Sequence, residues 1–159
     1  MIRISLHSSA EKLKIRPVEL DDTDICALAE LMAQWDDLKE ELPKEHIEER
    51  IIDVKTTRNA EILVAENEDG ALVGYAHISE VISLEKNPFV ELRAILVDEN
   101  LRKKNIGRKL VSAAEEWARK KGFKQIIVSP RIQNEKIHEF CKHLEYEESE
   151  RTCVFPKSI

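Results

Sequence analysis

The sequence is poor in residues that mark several protein classes. Its 159 residues include only four glycines and three cysteines, and no CxxC pair occurs. Cys26, Cys141 and Cys153 are an odd, widely spaced set, which argues against a disulfide framework and predicts reduced thiols in a cytoplasmic protein. No apolar run approaches the roughly 18 residues of a membrane-spanning helix. Residues 1–12 lack the apolar stretch of a signal peptide, so we expect neither secretion nor a membrane partner.

The acidic excess is spread unevenly along the chain. The formal net charge of −6 at pH 7 argues against general nucleic-acid binding. Residues 1–60 carry 14 acidic and 9 basic side chains, whereas residues 101–125 carry 9 basic and 2 acidic ones. The first segment could therefore attract a cation and the second an anion, although both could also be solvated surfaces.

Length and composition predict a single domain with a sizeable core. The hydrophobic fraction of 42% is too high for a disordered chain, and no repeat or linker interrupts it. We therefore expect residues 12–159 to form one domain, preceded by an extension at residues 1–11. Apolar residues at strand and helix spacings predict the order β-α-α-β-β-β-α-β-α-β, a mixed α/β fold.

Turn and capping residues set the boundaries of the predicted elements. Asp21 or Asp22 caps the first helix, and Pro43 lies near the start of the second. Residues 71–84 are predicted as a central strand, and residues 146–155 as a closing strand. Helical spacing places three isoleucines on one face of the second helix: Ile47, Ile51 and Ile52.

A buried strand, a basic loop and an amphipathic helix follow one another between Ile95 and Leu110. The first turn of a helix has N–H groups without intrahelical acceptors and carries the positive end of the helix dipole. Gly107 adds little bulk there, and Asn105 tolerates a left-handed conformation, so these N–H groups could approach a phosphate. Five basic side chains surround the same point: Arg102, Lys103, Lys104, Arg108 and Lys109. Because GxxxxGK[ST] and GxGxxG are both absent, the pattern predicts a different kind of pyrophosphate site, with a basic surface helix as the alternative.

Two segments carry a family resemblance. Arg102-Lys-Lys-Asn-Ile-Gly107 resembles the [QR]-x-x-G-x-[GA] motif of the GNAT N-acetyltransferase superfamily, and Asn134–Tyr146 is similar to its N-x-x-A-x-x-F-Y-x-x-x-G-F segment. Ala114–Ala118 and Phe155–Lys157 are similar to the AExWA and F-x-K segments of small bacterial members. The resemblance covers residues 12–157. It implies a central, mostly antiparallel sheet splayed between strands four and five and flanked by four helices.

Three positions depart from the family pattern. Asn105 replaces the first motif glycine, which should still permit the turn at some conformational cost. Cys141 replaces the tyrosine that often serves as general acid. Glu145 replaces the final glycine of the second segment.

The resemblance implies acetyl-CoA as co-substrate and no metal. The backbone of Ile95, Leu96 and Val97 would pair with the pantetheine, and a main-chain N–H near Ile95 would polarise the thioester carbonyl. Asn134 would hydrogen-bond the cofactor. The pyrophosphate would be held by the motif loop, which comprises Arg102, Lys103, Lys104, Asn105, Ile106, Gly107 and Arg108.

Acyl transfer to an amine needs a base, because a protonated amine with a pKa near 10 is unreactive. Glu91 is the first candidate, since the family often places a carboxylate upstream of the thioester-polarising position. Glu91 could instead pair with a cation such as Arg93. His77 on the neighbouring strand is the second candidate and could equally be an ordinary half-buried sheet residue.

Cys141 could protonate the departing thiolate or could be a small buried core residue beside Ile137, Phe140 and Leu144. A metal site with His138 and His143 is not expected, because the spacing places the three side chains at different angles around one helix.

The acceptor is expected to meet the connection between the first two helices. Trp35, Asp36 and Asp37 begin an acidic run that would suit a cationic amine, or would simply be a solvated helix end. The resemblance implies an N-acetyltransferase acting on a small-molecule amine such as a polyamine, an aminoglycoside or an amino acid. The alternatives are a non-catalytic acyl-CoA-binding sensor and an enzyme that acetylates a protein amine. A homodimer is possible in either case.

Overall fold

The structure, a computed structural model, describes residues 12–35, 42–102, 105–130, 134–150 and 153–159. The chain forms two compact units, Met1–Ser129 and Pro130–Ile159, which are described one at a time. Several predictions lie outside the described residues: the extension at residues 1–11, Asp36, Asp37, Lys103 and Lys104.

A five-stranded sheet forms the centre of the first unit. Its strands are β1 Lys14–Pro17, β2 Ala60–Glu66, β3 Leu72–Val81, β4 Phe89–Val97 and β5 Ile126–Val128. The strands lie in the order β1-β2-β3-β4-β5, with the first four antiparallel and β5 parallel to β4. The expected mixed, mostly antiparallel sheet is therefore confirmed.

Helices pack on both faces of this sheet. They are α1 Asp22–Met32, α2 Lys44–Thr56 and α3 Ile106–Lys120. Tyr75 of β3 belongs to the core cluster built with α1 and α2. Its neighbour Gly74 lies against Ile106 and Leu110 of α3. Because successive strand residues point to opposite faces, α1 and α2 cover one face and α3 the other.

The start of α1 is held by two aspartates. Asp21 caps the helix by accepting a hydrogen bond from the Asp24 N–H, as predicted from the sequence. The Asp24 side chain is almost fully buried, and both of its oxygens accept hydrogen bonds from Arg16 of β1, at 2.7 and 2.9 Å. Arg16 also donates to Glu66 of β2 at 2.7 Å. This ion-pair network joins the first two strands to α1.

The predicted inner face of α2 is partly wrong. Ile47 and Ile51 are buried, but Ile52 is 41% exposed. Successive helix residues differ by about 100°, so Ile52 turns away from the sheet that Ile51 covers.

The predicted strand at 71–84 is too long at its carboxyl end. The last cross-strand pair of β3 joins Val81 to Phe89. Ile82 and Leu84 lie beyond that pair and are exposed, because no strand residue opposes them.

The second unit contains α4, Glu135–His143. Asn134 caps it by accepting a hydrogen bond from the Ile137 N–H. At the other end the Tyr146 N–H donates to Cys141 and the Glu145 N–H to Lys142, both at 3.0 Å, which is the Schellman pattern. Glu145 adopts a left-handed φ of 65° there, the conformation that the glycine of the family motif adopts without strain.

The predicted closing strand is absent from the described residues of 146–155. Residues 147–150 are Glu-Glu-Ser-Glu, which have low β propensity. Val154 and Phe155 are exposed rather than paired.

Candidate active site

A β-bulge interrupts β4 at its midpoint. His77 of β3 lies opposite Ala94, whereas the next residue, Ile78, lies opposite Leu92. Arg93 is therefore the extra residue of the bulge. A bulge bends its strand and increases the local twist, so β4 changes direction at Arg93.

The strands β4 and β5 part at the same point. Their three pairs are Val90–Ile126, Glu91–Ile127 and Leu92–Val128. Past Leu92, residues 93–97 have no partner from β5 among the described residues. The apolar residues Ala94–Val97 are only half-buried, unlike Val90 and Leu92, which are buried. The expected splay between strands four and five is confirmed, and it leaves one edge of β4 available to an extended ligand.

Gly74 brings three elements together at the carboxyl end of β4. A Cβ on Gly74 would lie 2.8 Å from the Leu96 carbonyl oxygen and 3.2 Å from Leu110 Cδ1. Only glycine lets β3 approach β4 and α3 this closely. Sequence reasoning did not assign this residue. The sequence feature that could have pointed to it is its position: Gly74 is one of only four glycines in the chain and lies inside an apolar strand.

The start of α3 has the geometry expected of an anion site. Asn105 is in the left-handed region, with φ 63° and ψ 11°, as its place in the motif predicts. Ile106 is only 3% exposed, so its side chain belongs to the core and only its main chain can face a ligand. Arg102 and Arg108 carry exposed positive charge at this point. The described residues thus combine first-turn amides with basic side chains, which suits a pyrophosphate.

Glu91 and Arg93 form an ion pair beside the bulge. Nη1 of Arg93 donates to Oε2 of Glu91 at 2.9 Å, and the side chains are 51% and 25% exposed, respectively. The contact with Arg93 considered for Glu91 is therefore present. It leaves the carboxylate partly accessible, so the pair and a role as base are compatible.

Along β3, the His77 side chain points to the same face of the sheet as those of Tyr75 and Ser79, because strand side chains alternate between the two faces. Burial lowers the pKa of its imidazole, and the nearby charge of Arg93 lowers it further. His77 is therefore neutral at pH 7 and can accept a proton or a hydrogen bond.

The carboxyl end of α1 leads into the connection that was predicted to meet the acceptor. Trp35 is half-buried and packs against the core formed by α1 and α2. The adjacent Gln34 side chain accepts a hydrogen bond from the Glu99 N–H at 2.9 Å, which ties α1 to the 3₁₀ turn after β4. Glu30 lines two shallow clefts beside this helix. An acidic group is thus exposed near the connection predicted to meet a cationic amine.

Two predicted site residues belong to the second unit. The side-chain oxygen of Asn134 is used as the α4 cap, so its amide nitrogen is the group that can donate to a ligand. Cys141 is half-buried, as are Ile137, Phe140 and Leu144 on the same apolar face, so it is a partly covered residue rather than a fully buried one. Burial raises the pKa of the Cys141 thiol, which is protonated at pH 7 and is a poor nucleophile.

Among the described residues, no group of three or more metal-ligating side chains converges. No helix of the described residues is long and apolar enough to cross a membrane.

A mixed sheet whose fourth and fifth strands part in this way is also found in an acyltransferase family, as comparison with known proteins shows. The family model for the acetyltransferase (GNAT) family matches residues 27–146. The chain belongs to the GNAT acetyltransferase family.

Individual relatives are distant. A curated, uncharacterized N-acetyltransferase of Methanocaldococcus jannaschii is 33% identical over 70 residues, which is 44% of this chain and 31% of the relative. The matched stretch thus spans about a third of that relative.

Two solved structures share the fold over nearly the whole chain. An aminoglycoside N-acetyltransferase, AAC(6')-Iy, solved with CoA, superposes with a TM-score of 0.78 at 19% identity, covering 94% of this chain and 97% of its own. A transcriptional regulator from Bacillus halodurans superposes at 0.77 and 19% identity, covering 92% and 100%. These likenesses establish the fold.

Proposed function

We propose that the protein transfers the acetyl group of acetyl-CoA to a primary amine. The observation that carries this proposal is the loss of β5 pairing past Leu92, which follows the bulge at Arg93. It presents backbone N–H and C=O groups of β4 to an extended ligand, as an added strand would require. After β4, a 3₁₀ turn and the basic loop lead to the amino terminus of α3, where an anionic group would be stabilised.

Acetyl-CoA supplies an acetyl group activated as a thioester, and the donor set of this chain suits its two ends. The main chain of Ile95 to Val97 would bind the pantetheine, and an N–H near Ile95 would stabilise negative charge on the thioester oxygen. Arg102, Arg108 and the amides after Asn105 would bind the pyrophosphate. The Asn134 amide nitrogen would donate a further hydrogen bond to the cofactor.

In the reaction, the amine nitrogen forms an amide bond with the acetyl carbon and the bond from that carbon to sulfur breaks. Glu91 takes the proton that the amine must lose, directly or through a water molecule. Neutral His77 is the alternative acceptor of that proton. The protonated thiol of Cys141 is a proton donor for the leaving thiolate, although a thiolate leaves readily without one.

The substrate that we propose is a small cationic amine: a polyamine, an aminoglycoside-like compound or an amino acid. Glu30 of the first helix and the net negative charge of residues 1–60 support a cationic acceptor. The aminoglycoside N-acetyltransferase with the same fold supports an amine of this size.

The test is release of free CoA thiol from acetyl-CoA in the presence of a panel of polyamines, aminoglycosides and amino acids. We expect amine-dependent release with at least one class. Glu91→Gln should reduce kcat/KM by about a hundredfold, a usual contribution of general base catalysis. Full activity of Glu91→Gln at pH 7 would move the base role to His77.

A second candidate function is a non-catalytic acyl-CoA sensor. Two observations favour it: Cys141 stands where the family often has tyrosine, and one structural neighbour is a transcriptional regulator. Tight acetyl-CoA binding, with no amine-dependent thiol release across the panel, would support the sensor. Acetylation of a protein amine is the third candidate, and a lysine-containing peptide in the same panel tests it.

A further inference from the structure

Two irregularities of the sheet coincide at Arg93. It is the extra residue of the β4 bulge and also the first residue past the last β4–β5 pair, Leu92 with Val128. The proposed acyl-transfer site lies where these strands part. A side chain at this position therefore stands where the acceptor amine would approach the thioester.

The guanidinium of Arg93 has N–H donors that the ion pair with Glu91 does not use. Among the described residues it hydrogen-bonds Glu91 through Nη1 alone. A guanidinium presents five N–H donors in a planar fork, and two of them commonly bind one carboxylate side by side. Nε and Nη2 of Arg93 are thus suited to a second carboxylate, and the side chain is 51% exposed to receive one.

The charges on this face are arranged in a definite order. Arg93 is about twice as exposed as its partner Glu91, at 51% against 25%, and the pKa of His77 is lowered so that its ring is neutral at pH 7. The cation is therefore the more accessible of the two charges to an incoming molecule. A polyamine would be repelled at the first contact, whereas a molecule with an amine next to a carboxylate matches both charges.

We propose that Arg93 binds a carboxylate of the acceptor, so that the substrate is an amino acid or a similar amine bearing a carboxylate close to the reacting nitrogen. This inference rests on the proposed acetyl transfer and selects one class among its amines. Arg93 binds the acceptor alike before and during the reaction, so its loss should raise KM for the acceptor more than it lowers kcat.

The experiment compares each amino acid with its decarboxylated amine: ornithine with putrescine, lysine with cadaverine and phenylalanine with phenethylamine. Initial rates of CoA thiol release give kcat and KM for wild type and for Arg93→Gln. The two amines of a pair differ in pKa, and this difference affects the rates of both enzymes equally. The preference for the amino acid over its decarboxylated amine is therefore compared between wild type and Arg93→Gln. We expect Arg93→Gln to lower the preference for the carboxylate-bearing member by about tenfold or more, as loss of a charge-assisted bidentate contact predicts.

Two further variants make the comparison specific. Arg93→Lys keeps the charge but not the fork, so it should recover only part of the preference. Arg119→Gln removes an arginine that is also paired with a glutamate, Glu116, near the carboxyl end of α3. It should leave the preference unchanged, because Arg119 has no place in the proposed site.

The failures are distinguishable. If no amine releases CoA thiol, the proposed function itself is wrong. If amines react but Arg93→Gln changes both members of each pair equally, Arg93 only positions Glu91 and the carboxylate proposal is overturned. A wild-type enzyme that acetylates only the decarboxylated amines overturns it as well.

Discussion

Gly74→Ala tests whether the packing of β3 controls the cofactor site. The new Cβ would lie 2.8 Å from the Leu96 carbonyl oxygen, closer than carbon and oxygen atoms normally approach. The atom it meets belongs to the backbone of β4, so no side-chain rotation relieves the contact. The Leu110 and Ile106 side chains, at 3.2 and 3.5 Å, close the other direction toward α3. Either β4 or the start of α3 must move.

The expected size follows from opposing contributions. Overpacking of a tight site costs about 1–3 kcal/mol. The lower backbone entropy of an unfolded chain with alanine returns about 0.4–1 kcal/mol. We expect the free energy of unfolding to fall by about 1–2 kcal/mol, measured by urea denaturation followed through tryptophan fluorescence. Because both displaced elements would bind acetyl-CoA, the Kd for CoA should rise about tenfold, whereas KM for the amine should change little.

Gly122→Ala is the matched control. Gly122 has a φ of +87° just after α3, and a Cβ there would meet no atom within 4 Å. The left-handed conformation should cost about 1–2 kcal/mol of stability without changing CoA affinity. Equal losses of CoA affinity in the two variants would show that the effect follows global destabilisation. A Gly74→Ala protein with wild-type stability and affinity would refute the close packing itself.

The remaining predictions concern residues whose environments differ from what their type prefers. Glu145→Gly should raise the free energy of unfolding by about 1 kcal/mol in urea denaturation, because glycine adopts the left-handed φ of 65° without strain. Asp24→Asn should lower it by about 3–5 kcal/mol, since Arg16 would lose its buried partner. The Arg16 contact lowers the pKa of Asp24 below its unfolded value, so its stabilisation is complete above about pH 4 and lost at lower pH. An acid titration should show that loss in wild type and less of it in Asp24→Asn. Iodoacetamide should label exposed Cys153 faster than Cys141 at pH 7.5, with mass spectrometry as the measurement, because the pKa of Cys141 is raised by burial. Cys141→Ala should lose less than about threefold in kcat, and a larger loss would support the acid role.

Local signals were read correctly where a few neighbouring residues decide the outcome. The cap at Asp21 and the left-handed Asn105 depend on hydrogen bonds and sterics within about four residues. Interactions over a similarly short stretch of chain also explain why α3 begins where it does, after its basic loop. The predictions were wrong where a distant part of the chain decides the outcome. The exposure of Ile52 depends on the orientation of α2 on the sheet, and a closing strand requires a neighbouring strand with which to pair.

The amino-acid sequence alone determined the α/β order as far as α4, the family resemblance and the motif at the start of α3 on which the proposed anion site rests, because each follows from residues close together in the chain. Only the tertiary structure decided the bulge at Arg93, the parting of β4 and β5 past Leu92, and the close approach at Gly74. Strand register depends on pairing between segments far apart in sequence, and a shift of one residue reverses which side chains face the site. The burial that lowers the pKa of His77, and the place of Arg93 at the bulge, follow from that register. The chemistry proposed for the acceptor therefore depends on where the Glu91–Arg93 pair lies in the sheet, which no local pattern contains.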